Sequence, residues 1–226
     1  MTCAPQQMIP KIIHYCWFSA ERFPPLVARC IESWHRHMPE WSFVLWKAVP
    51  DALPFAQKLA AGKRYAFASD YVRFYAIWQH GGIYLDVDME VVRPFDPILH
   101  NRQFLGYEEQ GRVNSSVCGG VAGAEFFRAC LDAMDRHYSR SKRPLLSPEL
   151  CTDVANTQVF SDLTLYPPHV FYPYNPYDRT RHIEQLMYCD IKTDTLAIHH
   201  WAKSWSFSWP ERAQRLVQKL SRRRRR

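Results

Sequence analysis

The chain has 226 residues, 47% hydrophobic and 15% aromatic, a composition that describes one folded domain and excludes a disordered or low-complexity protein. Its formal charge of +7 is carried by the run Arg222–Arg226; taking those five from 29 Lys and Arg leaves 24 against 22 Asp and Glu, so the body is near neutral and a nucleic-acid-binding face is not expected. The seven Cys have no C-x-x-C spacing, which excludes a zinc ribbon or a secreted disulfide framework and fits a reducing, cytoplasmic setting.

Along the chain, residues 9–18 (IPKIIHYCWF) read as a buried first strand, β-branched and aromatic after a proline. Pro24 and Pro25 then open a helix to about His37, with Leu26, Cys30 and Trp34 on one face. Residues 41–46 (WSFVLW) form a second strand. Residues 65–80 give the clearest helix, because Tyr71, Phe74, Ile77 and Trp78 recur at helical spacing and Gly81-Gly82 stops it. A third strand over 83–88 (IYLDVD) is expected to end in carboxylates. Further strands are expected at 103–107, 116–121, 163–166 and 195–201, with helices over 125–138 and from Pro210 onward. Strands alternating with helices in the first half predict an α/β fold with a mainly parallel sheet, whose ligands bind at the carboxyl ends of the strands. Trp17 and Asp86/Asp88 fall there.

No apolar stretch approaches the ~20 residues a spanning helix needs, and the first eleven residues lack the basic-then-apolar order of a secretory signal. The aromatics Trp205, Phe207 and Trp209, followed by Leu216, Val217, Leu220 and the arginine run, suit a basic amphipathic segment on an anionic surface. The expected setting is cytoplasmic, with a peripheral place on the inner face of the membrane.

Three groups of residues carry chemistry. In a strand, Asp86 and Asp88 would point to one side, and two carboxylates so close repel unless a cation lies between them. A divalent ion bound to a diphosphate supplies that charge; a bare D-x-D also suits a solvated turn. Asp70 and Arg73, in Ser69-Asp70-Tyr71-Val72-Arg73, are i,i+3 neighbours on the helix, a spacing that equally suits an ordinary ion pair. His199 and His200, in Ile198-His199-His200-Trp201-Ala202-Lys203-Ser204-Trp205, face opposite ways on a strand, so one of them can join a given site.

Taken together, the run AFASDYVRFYAIWQHGGIYLDVDMEVV (residues 66–92) resembles the D-x-D region of the family 32 glycosyltransferases, which include yeast mannosyltransferases and bacterial capsular or lipopolysaccharide sugar transferases. IPKIIHYCWF at the start and IHHWAKSW at 198–205 resemble the same family's terminal motifs, in the same order. The resemblance implies a GT-A type fold over residues 1–209 as a single domain, followed by a basic tail over 210–226. It implies a metal-dependent, retaining transfer of a sugar from a nucleotide-diphosphate sugar, a UDP-sugar by preference, to a hydroxyl of a glycan or glycolipid in polysaccharide biosynthesis.

By position, the resemblance makes Trp17 the residue that stacks on the base. Ser69, Asp70 and Arg73 become donor-sugar binders, and Tyr84 and Asp86 contacts to sugar, ribose and metal. Asp88 becomes the direct metal ligand, with His199 or His200 as the C-terminal one. Lys203, Ser204 and Trp205 lie by the leaving diphosphate, and Asp70, Arg73, Asp86 and Asp88 form the catalytic set. Manganese is favoured over magnesium because imidazole suits it better. Asn114 and Gly119-Gly120 are candidate contacts near the acceptor. The alternative is a non-catalytic nucleotide-sugar or carbohydrate-binding protein on the same fold.

Overall fold

The structure, a computed structural model, describes residues 7–141, 143–178 and 185–202. Strand β1 (Ile12–Cys16) is covered on both faces, and its residues from Ile13 to Cys16 are all buried. Helix α1 (Pro25–His37) starts with proline in its first turn, where the missing N–H costs nothing. Strand β2 (Ser42–Trp46), helix α2 (Pro54–Ala61) and helix α3 (Tyr65–His80) follow. Then come β3 (Gly82–Leu85), β4 (Met89–Val91), β5 (Gln103–Glu109) and β6 (Arg112–Gly120). The rest is α4 (Glu125–Arg140), α5 (Ser147–Thr157), β7 (Leu163–Tyr166), α6 (Pro168–Phe171) and β8 (Ala197–His199).

The six-stranded sheet has the order β2-β1-β3-β6-β5-β7. β1 runs parallel to β2 and β3, β5 runs parallel to β7, and β6 is antiparallel to both its neighbours. This is the mainly parallel α/β sheet expected, with one reversed strand. β5 and β6 form a hairpin through Gln110-Gly111. Because β1 and β3 run together, Trp17 and Asp86 emerge at the same end of the sheet, where open α/β sheets bind their ligands.

The turn from α3 into β3 needs glycine twice. Gly81 and Gly82 have φ of 69° and 106°, and a Cβ on Gly82 would lie 2.7 Å from the Ile12 carbonyl oxygen. The buried His14 of β1 secures this turn. Its Nδ1 lies 3.2 Å from the Trp46 indole, which can only donate, so Nε2 carries the proton and donates to the Gly81 carbonyl at 3.0 Å. Burial therefore favours a neutral ring and lowers its pKa to about 4.

Several expectations need correction. The third strand stops at Leu85 rather than Asp88; Asp86 to Met89 form a turn closed by the Met89 N–H on the Asp86 carbonyl at 3.0 Å. The last strand is Ala197–His199, because Trp201 has φ 54° and cannot continue a strand. Gly119 and Gly120 are buried packing positions, not contacts near an acceptor: they pair with β3 residues Ile83 and Gly82, at the opposite end of that strand from Asp86. A Cβ on Gly119 would meet the Phe104 ring at 2.5 Å. Among the described residues no helix is long and apolar enough to cross a membrane. Lys203, Ser204, Trp205, Phe207, Trp209 and the basic tail over 210–226 lie outside the described residues.

Candidate active site

The site is built at the carboxyl end of β3. The Asp86 N–H donates to the Ser116 carbonyl on β6 at 2.8 Å, which fixes where the turn leaves the sheet. β4 is then held against α1 by the Trp34 indole N–H on the Met89 carbonyl at 2.6 Å and by the Val91 N–H on the Ser33 hydroxyl at 2.9 Å. β8 pairs antiparallel with β4, placing His199 opposite Met89. In consequence one ligand atom each from Asp86, Asp88 and His199 lie within 4.8 Å of one another. The carboxylates share a side, though a tight turn achieves this instead of strand alternation.

Arg73 underlies the pair. Its Nη2 reaches Asp70 at 3.0 Å and Asp86 at 2.8 Å, its Nη1 donates to the Ser115 hydroxyl at 2.7 Å, and its guanidinium lies 4.8 Å over the Tyr84 ring. Burial alone would weaken its charge, but Asp86 and then Asp70 outweigh burial and hold it protonated. Asp70 behaves otherwise. Burial pushes its carboxyl up to about 7; Arg73 partly offsets this and Asp86 adds to it. Asp88 is also driven up by burial, yet the charge and hydrogen bond of His199 and the Ala202 N–H at 2.8 Å outweigh that and set it below the usual carboxylate range.

The two histidines part company, as their strand spacing requires. His199 is buried with its Nε2 3.4 Å from the Asp88 carboxylate, and its Nδ1 has no hydrogen-bond partner among the described residues. His200 turns the other way and pairs with Glu90 at 2.8 Å, so it is not grouped with Asp86 and Asp88.

Tyr84 is 1% exposed and sits beneath Arg73, where its ring supports the guanidinium. Ser69 is half-buried and turns its hydroxyl back onto the Ala66 carbonyl at 2.7 Å. Trp17 is half-buried at the end of β1, its indole N–H on the Glu21 carbonyl at 2.9 Å and its ring edge-on to Phe23.

Ser115 escapes sequence reasoning, because nothing in NSSVCGG marks one serine as the partner of an arginine 42 positions earlier. Asn114 is likewise committed inward, its amide on the buried Glu108 carboxylate and its oxygen accepting the Ser116 N–H at 2.7 Å.

A divalent cation fits these residues. Asp86, Asp88 and the buried Asp70 outnumber the single guanidinium, and the cluster offers carboxylate oxygens together with the His199 Nε2 beside Asp88.

Residues 24–105 match the family model described as "Glycosyltransferase sugar-binding region containing DXD motif". This stretch is similar to the sugar-binding region of DXD glycosyltransferases. It takes in Asp70, Arg73, Asp86 and Asp88, whereas Trp17, His199 and His200 lie outside the matched part.

Inositol phosphoceramide mannosyltransferase 3 of Schizosaccharomyces pombe is 28% identical over 52% of this chain and 35% of its own length. Lactosylceramide 4-alpha-galactosyltransferase of Homo sapiens is 26% identical over 60% of this chain and 41% of its own. The chain thus spans well under half the length of these curated relatives. Among solved structures, a glycosyltransferase involved in glycosylation of the major capsid of PBCV-1 superposes with a TM-score of 0.51 over 91% of this chain and 98% of that one, at 14% identity. PaToxG glycosyltransferase superposes with a TM-score of 0.56 over 66% of this chain and 70% of that one, at 17% identity. The DXD region thus sits on a fold shared with glycosyltransferases, the GT-A architecture.

Proposed function

We propose that the chain is a metal-dependent, retaining glycosyltransferase that moves a sugar from a UDP-sugar to a hydroxyl of a glycolipid or glycan. The observation that carries this reading is the meeting of Asp86, Asp88 and His199 above the buried Arg73–Asp70 pair. The relatives named for mannosyl and galactosyl transfer to ceramide lipids support a lipid-linked acceptor.

Asp86, Asp88 and His199 would hold Mn²⁺, or Mg²⁺ as second choice; such an ion supplies electrostatic stabilisation of a departing diphosphate. Asp70, as a carboxylate, accepts hydrogen bonds from donor-sugar hydroxyls, and Arg73 keeps it and Asp86 in place. Trp17 offers a ring face at the cleft end of β1 for the base. In retention by front-face displacement, the bond from the anomeric carbon to the diphosphate oxygen breaks as the bond to the acceptor oxygen forms on the same face. The acceptor proton passes to the leaving oxygen, so no side chain is needed as base.

The test is a panel of UDP-, GDP- and other nucleotide sugars with purified protein, read as slow hydrolysis and as thermal shift, with Mn²⁺ and with chelator. Hydrolysis of one UDP-sugar that stops in chelator is expected. A preference for GDP-mannose would overturn the donor, and binding without turnover would leave a nucleotide-sugar-binding protein.

A further inference from the structure

The turn after β8 places a bulky residue where bulky residues are rare. Trp201 has φ 54°, in the left-handed region, and such a conformation persists when its surroundings hold it there. Here the surroundings are specific. The indole N–H donates to the Tyr174 carbonyl at 2.8 Å, and Tyr177 packs edge-on with ring centroids 5.6 Å apart. The opposite consequence of the reversal falls on Asp88: the His200 N–H reaches its carbonyl at 3.0 Å and the Ala202 N–H its carboxylate at 2.8 Å, so the chain on both sides of Trp201 closes on one aspartate. The same reversal folds the indole over His199, with ring centroids 4.1 Å apart and 34° between the planes.

A histidine that binds a metal is ordinarily oriented by a hydrogen bond from its other ring nitrogen. His199 has none among the described residues on Nδ1, while its Nε2 lies beside Asp88. What fixes the plane of its ring is contact with Trp201, and more distantly with Tyr172 at 5.9 Å. We infer that Trp201 is the positioning residue for His199, its clamped indole taking the place of the missing hydrogen bond and presenting the imidazole to a divalent cation. This rests on the metal-dependent reading above.

The experiment measures Mn²⁺ affinity by the electron paramagnetic resonance signal of the free ion, without donor or turnover, on the full chain. Trp201→Leu should weaken Mn²⁺ binding by about 10- to 100-fold, while Trp201→Phe, which keeps a stacking ring, should stay within about 3-fold of wild type. Circular dichroism and melting in chelator establish that each variant is folded. Should Trp201→Leu fail to fold, Trp201→Gly removes the ring while easing the left-handed backbone, and the same loss is expected. Wild-type protein that binds no Mn²⁺ would sink the metal reading itself. Tight wild-type binding matched by the folded leucine or glycine variant would overturn the role of Trp201 and leave the metal site standing.

Discussion

On the α3 side of the site, Asp70 is buried against Arg73 and raised to about 7; on the β8 side, Asp88 is buried beside His199 and Ala202 and lowered. Both lose water, but the compensation differs. Asp70 shares its one guanidinium with Asp86, whereas Asp88 faces an imidazole and an N–H of its own. On the α3 side one guanidinium serves two carboxylates, and its Nε has no hydrogen-bond partner among the described residues. The β8 side holds an ionised carboxylate stabilised by His199 and the Ala202 N–H. A pre-formed platform and an electron-rich edge therefore meet in one site, and variants on either side should behave differently.

The largest effect belongs to the edge. Asp88→Asn keeps the shape and removes the charge, so glycosyl transfer should fall by about 1000-fold, while the protein stays folded in chelator with a lower melting temperature, because the interaction of the charged carboxylate with His199 is lost. Initial rates at saturating Mn²⁺ measure this, and full activity in that variant would erase the distinction between edge and platform.

The platform should answer to pH instead. Unfolded Asp70 ionises near 3.8 and folded Asp70 near about 7, so the folded state holds the extra proton between them and this residue's contribution is lost as pH rises through that window. His14 has the opposite sign: its pKa falls from 6.5 unfolded to about 4 folded, so its contribution is lost as pH falls from 6.5 towards 4. At about 1.36 kcal/mol per pKa unit the upper bounds are of similar size, about 4 kcal/mol for Asp70 and about 3 for His14. The wild type should therefore look flat over pH 4.5–6.5, and urea unfolding of Asp70→Asn should expose the acid loss that the two residues otherwise mask.

The smallest effect separates the neighbours on β8. His200→Gln disturbs only a part-exposed pair with Glu90, so stability should change by less than ~1 kcal/mol. Mn²⁺ affinity, by titration, should be unchanged; a clear loss would move His200 into the site.

Much of this was legible because the platform is local in sequence. Tyr71, Phe74 and Ile77 mark the buried stripe of α3 over the very residues expected, 65–80, and the i,i+3 spacing brings Asp70 to Arg73 without any tertiary knowledge. The short elements were not legible. α2 has eight residues and β4 three, too few for a periodicity to declare itself, and α5 hides Leu150, Cys151 and Val154 among polar neighbours. The turn at Asp86 was misread as strand because an apolar run before it sets no stopping point. Which histidine joins Asp86 and Asp88 depends on β8 pairing with β4, a fact of register that no local pattern encodes.

That pairing also sets a schedule for synthesis. His200 meets Glu90 across 110 positions of chain, so at the ~5–20 residues per second of translation, α3 and β3 leave the ribosome about 5–20 s before β8. A nascent chain in that interval carries the acidic platform but lacks the imidazole, and closing the small β4–β8 sheet is the late, non-local step. The Asp86–Asp88–His199 cluster is thus assembled only once nearly all of the described length exists.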